Sequence, residues 1–388
     1  MPGAHDLSAL SPVSADTGEG ATLEEGTALS LSGGGYRAML FHTGVLWRLN
    51  ELGHLPRLDR VSSVSGGSIT AAALATAWAG LDLERHAVSP QFEALVVRPV
   101  RKLARQTIDA RSILGGILRP RQTIGEAVGD AFRKFLVGDT TLQGLPDRPR
   151  FVINATNMQT GSLWRFSKPY MADYRVGVYP DPRVDLAVAV AASAAFPPLL
   201  SPVRLALDPD GFSSDGRGPQ HMPPYTTDVR LSDGGVYDNL GLETTWKRYR
   251  TILVSDGGGQ MAPTPKPGTN WLAQAQRVQS VTDNQVRSLR KRQTIAGFAR
   301  GDRDGTYWGI RSDIENFSPP SGGVLPCPQE RTLALARTPT RLRRMPDELQ
   351  ERLINWGYAI CDAAMRTYVV ASDPVTPPAF PYPQRGVG

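Results

Sequence analysis

Cysteine and histidine are both scarce in this 388-residue chain, and each scarcity removes a class of chemistry. The two cysteines, Cys327 and Cys361, form neither a disulfide framework nor a metal-ligand spacing, which suits a reducing compartment. Of five histidines the last is His221, so a hydrolase triad ordered serine, acid, histidine would have to close well before the C-terminus. No H-E-x-x-H pair occurs, and the acidic loop DPDGFSSDG (208–216) has Phe212 and Pro219 at positions where a calcium loop needs ligands. Lysine is rare as well, six against 37 arginines, and the net charge is +6. That balance could draw an anionic partner, but no aromatic-interleaved basic face accompanies it, so nucleic acid is not expected. No long apolar run is present. The longest stretch, LAVAVAASAAFPPLL (186–200), is alanine-rich and broken by Pro197 and Pro198, too short for a membrane span. Residues 1–26 contain acids but no Lys or Arg and no apolar run, which excludes a secretory signal and predicts a disordered leader.

What is present is the patterning of a large globular core, with 40% hydrophobic and 21% charged residues. TALSLS (27–32) reads as a strand, GGG (33–35) breaks it, and the following residues carry apolar side chains at helical spacing as far as Gly53. Residues 60–65 form a second strand before a second helix, SITAAALATAWAGL. Strand, glycine turn and helix, repeated, predict an α/β sheet with parallel strands. Residues 86–148 are mainly helical and basic. Strands resume at 150–156, 228–235 and 250–259, with an alanine-rich helix at 184–195 and a loop at 208–227. A polar helix near 270–300, a strand GTYWGI and a helix at 347–368 complete the chain, and Pro346–Asp347 suits the first turn of that last helix.

Two glycine turns carry candidate chemistry. In SGGGYRA (32–38) the amides of Gly34 and Gly35 could hold an oxyanion at a helix N-terminus, with Arg37 adding positive charge. The same stretch satisfies G-x-G-x-x-A through Gly33, Gly35 and Ala38, the mark of a dinucleotide site, and a simple tight turn would also explain it. A dinucleotide site wants an acid at the end of the second strand, however, and Ser65 ends it. VSSVSGGS (61–68) places Ser65 in a turn of nucleophile-elbow form, S-x-S-x-G, with Ser63 where glycine is usual and Gly66 offering a further N–H. A serine that merely caps the next helix is the plainer alternative. His42, His54 and His86 read as ordinary helix or loop residues. An aspartate held beside the hydroxyl and partly desolvated could act as base instead. Asp233, ending a strand in LSDGG, is built for that role; Asp256 in VSDGGG is a decoy of the same form.

Taken in order, GGGYRA, SVSGGS, ASAAFPPLLSP (192–202) and DGGVYDNLG (233–241) resemble the patatin-like phospholipases, and LINWGYAICDAAMR (353–366) resembles bacterial members. The resemblance implies a three-layer α/β fold with a mostly parallel central sheet flanked by helices. It implies a Ser–Asp dyad with Ser65 as nucleophile and Asp233 as base, and an oxyanion segment of Gly33, Gly34, Gly35 and Arg37. Only Asp233 is followed by the family's DN, here Asp238–Asn239. Ser63 for glycine is the departure. The expected protein is a cytoplasmic acyl-ester hydrolase of phospholipid or lysophospholipid, needing no metal or cofactor. Residues 27–262 would form the catalytic domain and 263–388 an annex on it. A dinucleotide-dependent oxidoreductase and an inactive lipid-binding relative are the rivals. Peripheral contact with an anionic membrane is expected at 98–121, where Ile113, Leu114, Ile117 and Leu118 lie between arginines, against the plainer reading of a surface helix facing the core.

Overall fold

A computed structural model of the chain describes residues 23–108, 123–198, 200–370 and 379–388. Strand β1 (Glu24–Leu31) leads through the glycine turn into helix α1 (Gly35–Glu51), and β2 (Leu58–Val64) leads into α2 (Gly66–Ala77). Then come β3 (Arg150–Asn157), β4 (Ser162–Phe166), β5 (Tyr170–Asp173), β6 (Gly177–Pro180), helix α3 (Leu186–Ser193), β7 (Val203–Ala206), β8 (Asp228–Asp233) and β9 (Tyr249–Asp256). Helix α4 (Trp271–Arg300), β10 (Asp304–Gly309) and helix α5 (Asp347–Tyr368) follow. β1 begins within the expected leader, at Glu24, because the Glu24 and Thr27 N–H groups are taken up by the Arg248 carbonyl and the Asp59 carboxylate. Residues 1–22 of that leader lie outside the described residues, as do 109–122, which carry the apolar tip of the expected lipid-contact segment. Of that segment, Arg98–Ala104 is helical and buries Val100, Leu103 and Ala104 in the core.

The strands run β10-β9-β1-β2-β3-β4-β5-β6, and the first five are mutually parallel. β4, β5 and β6 extend the β3 edge antiparallel. Both faces of the parallel part are covered, which is why its strands are buried without alternation. Leu29, Leu31, Leu253 and Trp308 point to the large core under α1, α2 and α5. Ala28, Ile252, Val254 and Tyr307 point the other way, to a smaller cluster closed by Trp246 and Phe298. This is a three-layer α/β arrangement. α1 and α5 cross with backbones in contact: a Cβ on Gly44 would lie 1.9 Å from the Ile354 carbonyl oxygen, and one on Gly357 1.9 Å from that of Phe41. Buried Asp362 joins the pair by accepting from Arg48 at 2.8 Å and Arg366 at 2.7 Å. Among the described residues no helix is long and apolar enough to cross a membrane, and no three His, Cys, Asp or Glu side chains gather as a metal site.

Candidate active site

β3 outlasts β2, and that difference in length creates the site. β2 pairs with β3 only as far as Val64 opposite Asn154. The remaining edge, Ala155 to Asn157, is taken by β8 running antiparallel, so that Asp233 sits opposite Ala155. The C-terminal ends of β2 and β8 therefore meet end to end on one edge of β3. Ser65 follows the first and Asp233 closes the second, which brings the Ser65 hydroxyl close enough to oppose the rise of the Asp233 carboxyl.

Ser65 is 8% exposed and holds φ 51°, ψ −117°, a conformation strained for any residue with a Cβ. The strain is the geometry of a nucleophile elbow, in which the side chain is thrown clear of strand and helix. The elbow closes only because its neighbours are small. A Cβ on Gly66 would lie 2.3 Å from the Gly35 carbonyl oxygen, and one on Gly67 2.4 Å from that of Leu31. Ser63 fits in place of glycine because its hydroxyl accepts from Ser68 at 3.0 Å. Ser193, at the end of α3, braces the elbow. Its hydroxyl accepts from the Ser65 N–H at 3.0 Å and donates to the Asn154 carbonyl, while its own carbonyl accepts from the Gly234 N–H at 3.2 Å. One residue thus fixes both the Ser65 turn and the turn after Asp233. The sequence marks it only as the serine of ASAAFPP, quoted above without a role.

Asp233 is 2% exposed, and burial pushes its carboxyl up to about 7. The Gly235 N–H, donating at 2.7 Å, and the Ser65 hydroxyl oppose that rise, and the negative charge of Asp283 adds to it. Asp256 shows the contrast. Burial would raise it too, but Arg287 at 3.7 Å, the Gly258 N–H and the Tyr307 hydroxyl at 2.8 Å outweigh burial and hold it below the usual carboxylate range. It is a paired structural carboxylate. His42 is buried with its Nε2–H donating to the Ser32 carbonyl at 3.0 Å and its Nδ1 accepting from Ser255 at 2.8 Å; burial pulls it down to about 4, so it is neutral and fully engaged. Asp256→Asn and His42→Ala should therefore both keep fluorophosphonate labelling at Ser65. The His42 variant should lose about 2–4 kcal/mol of stability through its cavity and the orphaned Ser32 and Ser255 groups, readable by denaturant unfolding. Loss of labelling in either soluble variant would move the site.

The glycine loop divides. Gly33 lies against Ser65, its virtual Cβ 3.2 Å from the serine Cβ, but its N–H is spent on the Asn239 carbonyl at 3.0 Å. Among the described residues no acceptor meets the N–H groups of Gly34, Gly35 or Gly66, and the abutment of Gly35 on Gly66 brings the N-termini of α1 and α2 together beside Ser65. Arg37 does not join them. Its guanidinium is buried and donates to the carbonyls of Gly257, at 3.2 Å, and Thr338. Burial and the charges of Arg287 and Arg311 lower it to about 10. Two residues past Gly35 on a helix, its side chain points some 200° around the axis from that glycine, toward the turn after β9.

Residues 29–246 match the family described as patatin-like phospholipase. No curated protein matches the chain. Human GIVD cytosolic phospholipase A2 is similar in structure with a TM-score of 0.50 at 13% identity, over 88% of this chain and 61% of that one. The same human protein in complex with methyl gamma-linolenyl fluorophosphonate and terbium chloride gives 0.49 at 15%, over 87% and 58%. VipD from Legionella pneumophila gives 0.35 at 15%, over 90% and 68%. The chain spans about three-fifths of the length of the human structures, and at such identities the first likeness speaks for the fold alone.

Proposed function

The chain belongs to the patatin-like phospholipase family, and from that premise we propose that it is a serine acyl-ester hydrolase of phospholipid or lysophospholipid working through a Ser65–Asp233 dyad. The observation that carries the reading is the end-to-end meeting of β2 and β8, which sets a strained serine against a desolvated carboxylate without a histidine. Asp233 takes the proton from the Ser65 hydroxyl as Oγ attacks the ester carbonyl carbon. The negative charge that develops on the carbonyl oxygen falls to the N–H groups of Gly34, Gly35 and Gly66, reinforced by two helix N-termini. Collapse of the tetrahedral intermediate expels the alcohol, which takes the proton from Asp233. Water, deprotonated by the same carboxylate, attacks the acyl carbonyl, and Ser65 Oγ leaves with the proton returned from Asp233 as the fatty acid is freed. Gly33 contributes close approach, its N–H being engaged elsewhere, and Arg37 supports the adjoining turn from a distance.

No step calls for a metal. The purified protein, offered mixed phospholipids and lysophospholipids, should release free fatty acid by mass spectrometry equally well in excess chelator. Activity that disappears in chelator and returns with calcium would overturn this scheme and direct attention to the 208–216 loop.

A further inference from the structure

Helix α4 packs on the sheet through a mixed side, on which Phe298 closes the smaller cluster beside charged residues. Its inward side carries charge: Arg287 faces Asp256 at 3.7 Å, Arg290 faces Asp238 at 3.6 Å and Glu243 at 3.3 Å, and the Lys291 ammonium lies 4.8 Å from the centre of the Tyr307 ring. Its outward side sets large apolar residues among Thr282, Gln285 and Gln293. Trp271 is 81% exposed, Val278 61% and Leu289 57%, with Val286 also exposed. At 100° per residue Trp271, Val278 and Leu289 fall within about 20° of one another, and Arg287 and Lys291 lie roughly opposite. From Trp271 to Leu289 the three span about 27 Å along the helix.

We propose that this face of α4 docks on an anionic lipid surface and so delivers the bilayer to Ser65 and Asp233; the inference rests on the hydrolase reading above and identifies where its substrate is met. Two observations select lipid as the occupant. Besides the three basic residues that face inward, the helix carries Arg277, Arg292 and Arg300 against the single acid Asp283, in a chain of net charge +6, which favours an anionic membrane. The helix also borders the catalytic site. The charge of its Asp283 bears on the Asp233 carboxyl, and its Arg287 donates to the Gly259 carbonyl in the turn beside the glycine loop. Near Asp233 in the chain and the fold, Phe196 and Val236 are also exposed. An aromatic residue at one end, aliphatic residues along one face and cations around them are what an interfacial helix needs.

Val278→Glu with Leu289→Glu keeps good helix formers on a solvent-facing surface. Co-sedimentation with vesicles of phosphatidylglycerol and phosphatidylcholine in equal parts should fall roughly tenfold or more, as the apolar contact is lost. Hydrolysis of a water-soluble short-chain ester should stay at the wild-type rate. Unchanged vesicle binding by the folded variant overturns the proposal. So does a wild-type dimer that the variant converts to monomer while vesicle binding persists, since the stripe would then belong to a second copy of the chain. If the double variant does not fold, Trp271→Phe decides: vesicles with brominated acyl chains should quench wild-type tryptophan emission and leave the variant's nearly unquenched, whereas equal quenching overturns the idea. Vesicle binding is read without turnover, so a wild-type protein that binds vesicles through Trp271 and cleaves no ester upholds the docking face and defeats the hydrolase reading.

Discussion

Ser65→Ala should abolish fluorophosphonate labelling and ester hydrolysis together, and Asp233→Asn should keep the fold while lowering turnover by roughly a hundredfold or more, the usual loss when a general base is removed. The asparagine is nearly isosteric. Its carbonyl oxygen can still accept from the Gly235 N–H, and its amide can still donate to the Ser65 oxygen, so geometry survives and only proton acceptance is lost. The pH profile supplies an independent readout. Burial pushes Asp233 up to about 7, so kcat/KM should rise about tenfold per pH unit below that value and level off above it. A limb in that range would ordinarily be assigned to histidine. It should nonetheless persist in His42→Ala and His54→Ala, since burial pulls both imidazoles down to about 4. An inactive lipid-binding relative predicts no labelling of the wild type, and a dinucleotide enzyme predicts protection by nicotinamide cofactor. If Asp233→Asn turns over at the wild-type rate, the dyad is wrong.

The elements that make the parallel layer were legible because each is long, apolar and punctuated by glycine. β1, β2, β3 and β9 carry continuous buried runs, and α5 begins at the expected Asp347. The short antiparallel strands β4 to β7 were not legible. At four or five residues, with Tyr, Arg and Ser mixed among apolar positions, they owe their conformation to the β3 edge and to β8 more than to any local period. The direction of β8 was hidden for another reason: LSDGG has the same local pattern whether its strand runs with β3 or against it, and the meeting of Ser65 with Asp233 depends on it running against. Arg37 illustrates the limit of charge as a signal. An arginine one turn into a helix after a glycine loop reads as part of an anion site, but helical rotation sends it to Gly257. Helix α4 is polar on average, as its sequence reads; only its packing shows Arg287 and Arg290 turned toward Asp256 and Asp238.

The second large effect concerns stability, and its sign separates a working base from a structural carboxylate. A carboxyl at about 7 in the folded chain and at 3.8 unfolded binds more protons when folded throughout that interval. Folding stability contributed by this group is therefore present at low pH and is lost as pH climbs from about 4 to 7. At one pKa unit per 1.36 kcal/mol, ionising Asp233 inside the fold costs on the order of 4 kcal/mol by pH 8. Asp233→Asn removes that cost. It should melt higher than wild type at pH 8, by about 5 °C for a chain of this size, and the advantage should shrink to nothing near pH 4. Asp256→Asn should do the reverse. Asp256 is held below the usual range by Arg287, so its stabilising contribution is present at neutral pH and its removal takes from Arg287 the nearer of its two carboxylates. Thermal unfolding of both variants across pH 4 to 8 reads the contrast directly. A variant that becomes less active and more stable at the same position, at the same pH, is the behaviour of a group kept desolvated for chemistry at the expense of the fold. Should Asp233→Asn instead melt lower than wild type at pH 8, the carboxylate is stabilised where it sits, and a base so stabilised has no drive to take a proton from Ser65.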